Sequence, residues 1–129
     1  MAEPGGRYEI ASGSDWGELT LAVEVGGAIV EPSSVFGIPI TGRYDAATGS
    51  IAFTTAVQPG EILLSSAYSG RALRDHEGRI WAFVGAAETV VFLKADSDWQ
   101  TQRTQNGWLA YALGEDETPG AGPRRPRRP

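Results

Sequence analysis

The stretch from Glu61 to Leu113 limits the possible folds more than any other part of the chain. Three long runs with strand character, Glu61–Arg74, Arg79–Lys94 and Trp99–Leu113, are separated only by Asp75-His76-Glu77-Gly78 and Ala95-Asp96-Ser97-Asp98. In the first run Ile62, Leu64, Ser66, Tyr68 and Gly70 share one face when extended, and Leu63, Ser65, Ala67 and Ser69 share the other. The second, RIWAFVGAAETVVFLK, is rich in β-branched and aromatic residues and lacks proline. Gly78 supplies the positive φ that a tight turn requires. Antiparallel neighbours of this length twist and curl. Closure into a barrel is the simplest way to remove their edges.

The remaining segments fit the same plan. Gly6–Ala11 puts Tyr8 and Ile10 on one face, and Glu18–Val25 alternates, with Leu19, Leu21, Val23 and Val25 expected inward. Gly26-Gly27 is a hairpin signal leading into Ala28–Pro32. Ser33–Phe36 reads as a loop. Gly37–Asp45 reads as a fourth strand, with Ile38, Ile40 and Tyr44 on one side and Pro39 suited to an edge or a bulge. Ser50–Val57 pairs Ile51 with Phe53 on one face, and Pro59-Gly60 breaks the chain before the long strands. No segment of a dozen residues shows the 3.6-residue period of an amphipathic helix. The expected fold is all-β, an eight-stranded antiparallel up-and-down β-barrel over residues 6–113, its interior filled or holding one small ligand. A Greek-key sandwich needs a long crossing connection that the sequence does not offer. Residues 1–5 read as a flexible N-terminus and 114–129 as a disordered Pro/Arg-rich tail.

Composition narrows the functions. At 129 residues the chain suits one domain. Cysteine is absent and histidine occurs once, which removes disulfides, thiolate chemistry and any His- or Cys-based metal site. The net charge of −5 conceals an asymmetry. Gly120–Pro129 holds four arginines and no acid, so residues 1–119 carry seven basic against sixteen acidic residues, a net −9. Such a body repels phosphate backbones, so no nucleic-acid partner is expected. No apolar run nears the roughly 20 residues of a spanning helix, so no membrane partner is expected either. The N-terminal residues lack the pattern of a signal peptide, which leaves the compartment open.

Several ordered motifs resemble the avidin/streptavidin family over most of residues 6–113. Gly6-Arg7-Tyr8 followed by Gly13-Ser14 is similar to that family's opening, and Ser34-Val35-Phe36-Gly37 to its serine-bearing loop. Thr41-Gly42-Arg43-Tyr44-Asp45, Phe53-Thr54, Ser69-Gly70, Asp75 with Gly78, and Asp98-Trp99-Gln100-Thr101-Gln102-Arg103 continue the likeness in order. The resemblance implies an avidin-like, calycin-type barrel that binds a small molecule, without a cofactor, as a dimer or tetramer. It implies that Ser14 and Ser34 sit where the family holds the ureido group of biotin. It puts Ser66 at the hydroxyl beside the thioether sulfur, and Tyr68 on an aromatic wall. Trp99 matches the tryptophan lent by a neighbouring subunit. Departures accompany these matches: Ile10 replaces an asparagine, Pro32 a tyrosine, Val57 and Ala86 two tryptophans, and Gly107 a terminal asparagine or aspartate, with Asn106 beside it. Each lost polar contact costs roughly 1–3 kcal/mol, and each lost indole about 150–250 Å² of burying surface. The implied pocket is therefore an altered one, suited to weak biotin binding or to another small, largely apolar ligand.

Glu88 has the strand parity of Ala86, and is expected to enter the cavity where small residues leave room, as a ligand anchor or an acid–base group. This gives three readings: a non-catalytic binding barrel with Ser14, Ser34, Ser66, Tyr68, Glu88 and Trp99 as its ligand residues; a barrel enzyme of the cyclase or isomerase type using Glu88 or Tyr68; and an interaction module with a filled barrel. No catalytic residues or metal ligands are assigned. His76 sits in a polar turn, Asp96 with Asp98 lacks the oxygen count of a calcium loop, and no Ser/His/Asp set or phosphate-cradling glycine loop is present.

Overall fold

A computed structural model describes residues 4–57, 60–95 and 98–114. The expectations for residues 1–3, Pro59, Asp96-Ser97 and the tail beyond Gly114 lie outside the described residues. Within them the regular structure is entirely β: β1 (Gly6–Ser12), β2 (Asp15–Leu21), β3 (Ala28–Ile29), β4 (Ser34–Val35), β5 (Ile38–Pro39), β6 (Thr41–Asp45), β7 (Ser50–Val57), β8 (Ile62–Arg74), β9 (Ile80–Ala95) and β10 (Asp98–Ala112). All belong to one antiparallel sheet in the order β3-β6-β7-β8-β9-β10-β1-β2-β4-β5, curled into a half-barrel. The first strand lies between β10 and β2, so the first and last described strands pair within the sheet.

The three long runs form β8, β9 and β10, and β7 falls on Ser50–Val57 as read from the sequence. The earlier part differs in detail. Ser34-Val35, expected to be loop, forms β4 and pairs with both β2 and β5. The expected strand Gly37–Asp45 divides into β5 and β6. Val25, expected inward, is 99% exposed. The hairpin turn closes one position earlier than Gly26-Gly27, with Gly27 N donating to Glu24 O at 2.8 Å and Glu24 N to Ala28 O at 2.9 Å, so Val25 sits at its tip.

One face of the sheet carries the core: Tyr8, Ile10, Leu19, Leu21, Ile51, Phe53, Phe83 and Ala110 are buried there. Its aromatic rings meet edge-on, Phe83 with Tyr8 at 5.5 Å and with Tyr44 at 6.2 Å between centroids, the arrangement that ring quadrupoles favour. Gly70 and Gly85 face each other across β8 and β9 and leave room for an indole. A Cβ on Gly70 would stand 2.8 Å from Cζ2 of Trp108. The indole Nε1–H lies 3.1 Å from both Ser69 O and Ala86 O, to which it donates. The long strands do not end level with the rest. The β1–β2 turn meets the sheet at Gly107, where Gly13 N donates to Gly107 O at 3.4 Å, while β10 begins at Asp98. At ~3.3 Å per residue, β9 and β10 overhang that turn by roughly 30 Å and β8 by roughly 23 Å.

Candidate ligand site

Register fixes what the core face offers at this overhanging end. Phe53, Tyr68 and Ala87 lie side by side on β7, β8 and β9, and Trp108 joins them from β10. Phe53 stacks on Tyr68 at 4.8 Å and 15° between planes, and Trp108 meets both edge-on at 5.7 and 6.0 Å. The next inward row is made of hydroxyls. Thr55 pairs with Ser66, Ser66 with Thr89, and Thr89 with Thr104, one residue from each of four consecutive strands. Thr55 and Ser66 are buried, and the oxygens of Ser66 and Thr89 are 2.8 Å apart and hydrogen-bonded. Above this row Leu64 and Val91 are half-buried, and Ile62 and Leu93 are exposed at 37% and 42%. The overhang thus presents an aromatic floor, a hydroxyl belt and an apolar lip.

Tyr68 joins the floor to the belt. Its ring is buried, and burial raises its hydroxyl pKa above the ordinary tyrosine value of 10.0. A hydrogen bond from Ser12 opposes that rise and the negative charge of Asp15 adds to it. At neutral pH the phenol is therefore protonated, a donor and acceptor rather than a base. With the serine and threonine hydroxyls around it, the site suits a compact ligand that presents carbonyl, amide or hydroxyl groups to the belt and an apolar portion to the floor.

The opposite face of the same strands contributes to a shallow concavity of about 1050 Å³, whose lining also includes Phe53, Tyr68 and Ala87. It is floored by small exposed residues, Ala52, Ala67, Ser69 and Ala86, and edged by Thr41, Arg43, Glu88 and Gln105. Glu88 shares this face with Ala86, as its parity implies, but the face points away from the core. Its carboxylate is 3.1 Å from Arg103 Nε, and Gln105 Nε2 donates to it at 3.4 Å.

The six residues singled out in the sequence are therefore not gathered in one place. Ser66 and Tyr68 stand together on the core face. Glu88 and Trp99 take the outward parity, Trp99 half-exposed near the start of β10 and opposite Lys94. Ser14 is exposed in the β1–β2 turn, and Ser34 is half-buried on β4. The serine that meets Tyr68 is Ser12, two residues before Ser14. Sequence reasoning missed Ser12, Thr55 and Thr89, and gave Trp108 no place among the ligand residues. Ser12 was within reach, since it continues the parity of Tyr8 and Ile10, whereas Thr55, Thr89 and Trp108 become neighbours of Ser66 and Tyr68 only through inter-strand register. Ile10, at the asparagine position of the resembled family, is fully buried within the core. Ala86 faces outward, so an indole at that position would not line this site. Among the described residues no cluster of three or more His, Cys, Asp or Glu is placed to hold a metal ion. No family model matches the chain, and no curated protein sequence matches it significantly.

Proposed function

We propose that the chain is a non-catalytic small-molecule binding protein, an avidin-like barrel with a modified pocket that takes biotin weakly or a different small ligand at its open end. The observation that carries this reading is the four-hydroxyl row Thr55–Ser66–Thr89–Thr104 beside the Phe53–Tyr68–Trp108 floor. A filled barrel has no use for buried hydroxyls near an open end, because polar groups withdrawn from water weaken a core unless they have partners to bind. Backbone contacts support ring closure. Val23 bridges Ile29, Val30 N donates to Ala22 O at 2.9 Å, and β3 continues to β6. On this reading the β4–β5 excursion stands outside the ring, whose eight members are β1, β2, β3 and β6–β10. The outward, half-exposed Trp99 fits self-association, in which a second copy lends its indole to the overhang of the first.

Calorimetry with biotin and a panel of compact amides, lactams and hydroxylated metabolites tests the reading. At least one compound is expected to bind. Ser66→Ala and Tyr68→Phe should each weaken it by roughly 1–3 kcal/mol, about 5- to 150-fold in Kd. Heats unchanged by both substitutions would place the ligand elsewhere, and no heat with any compound would remove the proposal.

A further inference from the structure

We infer that β10 pairs edge to edge with β10 of a second copy, antiparallel about a two-fold axis at Thr101. β1 runs beside β10 only from the Ser12–Trp108 pair onward. From Asp98 to Asn106 the strand is paired on its β9 side alone among the described residues. The covered part shows which way its backbone groups turn. Gly13 N donates to Gly107 O, and Leu113 N donates to Arg7 O, so the odd-numbered residues of β10 aim their N–H and C=O groups toward β1. The register with β9 runs without a bulge. Trp99, Thr101, Arg103 and Gln105 therefore aim theirs the same way, past the end of β1. An open edge of this length is a template for another strand, and proteins blunt such edges with proline, lysine, bulges or brevity. The end strands of the sheet, β3 and β5, are two residues each. Asp98–Asn106 has no proline, no lysine and no bulge.

Three features of this edge select a second copy as its occupant. It is self-complementary. With Thr101 on the axis, Trp99 of each protomer stands opposite Arg103 of its partner on the outer face, a cation–π pair made twice. On the inner face Gln100 then opposes Gln102 and Asp98 opposes Thr104, so no like charges meet. It is also locally neutral. Residues 1–119 carry a net −9, whereas 98–106 hold one acid, Asp98, and one base, Arg103, so two copies repel each other least here. Apolar surface lies beside it: Trp99 and Leu93 are exposed, and Val90 and Phe92 are half-buried on the outer face. The other side of the overhang is already taken, since β7 runs beside β8 as far as the Val57–Leu64 pair. One free edge per chain, paired about a two-fold axis, closes the assembly as a dimer. This deepens the self-association read from Trp99 by giving it a geometry.

Sedimentation velocity of the full-length protein over a range of concentrations should show a dimer. Thr101 is exposed, so Thr101→Lys and Thr101→Glu leave the fold alone, but each places two like charges together on the axis. Each variant alone should run as a monomer with the circular dichroism of wild type, and an equal mixture of the two should run as a dimer. Trp99→Ala, which adds no charge, should loosen the wild-type dimer. A wild type that stays monomeric, whether bare or carrying a peptide of foreign mass, would overturn the inference. So would Lys and Glu variants that each dimerise as wild type does, a mixture that stays monomeric, or a Trp99→Ala dimer as tight as wild type. The ligand reading fails separately: a charge-switched dimer that binds no compound supports this pairing, whereas a monomeric wild type that binds one overturns it.

Discussion

Tyr68 is where burial, hydrogen bonding and the proposed ligand site meet. Its folded-state pKa lies above 10.0, so folding favours the protonated phenol. That contribution is fully present below pH about 10 and is lost as pH rises through the higher folded value. Thermal melts from pH 8 upward should therefore show wild type losing more stability above pH 10 than Tyr68→Phe, since the variant removes this group from the titration. Parallel losses would mean that the phenol is not withheld from solvent. Ser66 and Tyr68 were singled out by the family resemblance, and their alternation on one unbroken strand run put them on a shared face. Glu88 was legible only as far as its parity with Ala86; which face that parity meant depended on where the core formed. Ser14 carried the motif likeness, whereas the serine that meets Tyr68 is Ser12.

At the scale of elements, the long strands owe their packing to the glycine pair of β8 and β9. Gly70→Ala would drive a Cβ against Trp108 and Val84 O and disturb the indole's hydrogen bonds, an overpacking cost of about 1–3 kcal/mol. Urea unfolding should show a lower midpoint with an unchanged slope; an unaltered midpoint would mean the indole has room to move. The β8–β9 turn rests on Asp75, whose Oδ1 accepts from Glu77 N at 2.9 Å and Arg79 N at 3.0 Å. Chiefly the Arg79 backbone bond holds its pKa below 3.8, so its contribution is present above that value and lost as pH falls through the lower folded one. Asp75→Ala should melt earlier at neutral pH and show a shallower acid loss than wild type. Element type was readable from alternation and turn residues. The small pairings of β4 and β5 were not, because two-residue bridges depend on a partner strand rather than on local pattern.

For the whole molecule, curling followed from strand length and twist, and the sequence carried that much. It did not show that β1 would sit between β10 and β2, since strand order in a sheet is set by contacts distant in the chain. Nor did it show the overhang, which exists because β8–β10 are about twice the length of their neighbours and leave the hydroxyl belt partly uncovered. The central claim is that this belt and its aromatic floor hold a small molecule. Native mass spectrometry of freshly purified protein, beside the Ser66→Ala/Tyr68→Phe double variant, tests it most directly once the binding compound from calorimetry is added. The account predicts one ligand mass per wild-type subunit, lost or sharply reduced in a variant of the same oligomeric state. Equal ligand occupancy in the two proteins, or none in either, would contradict it.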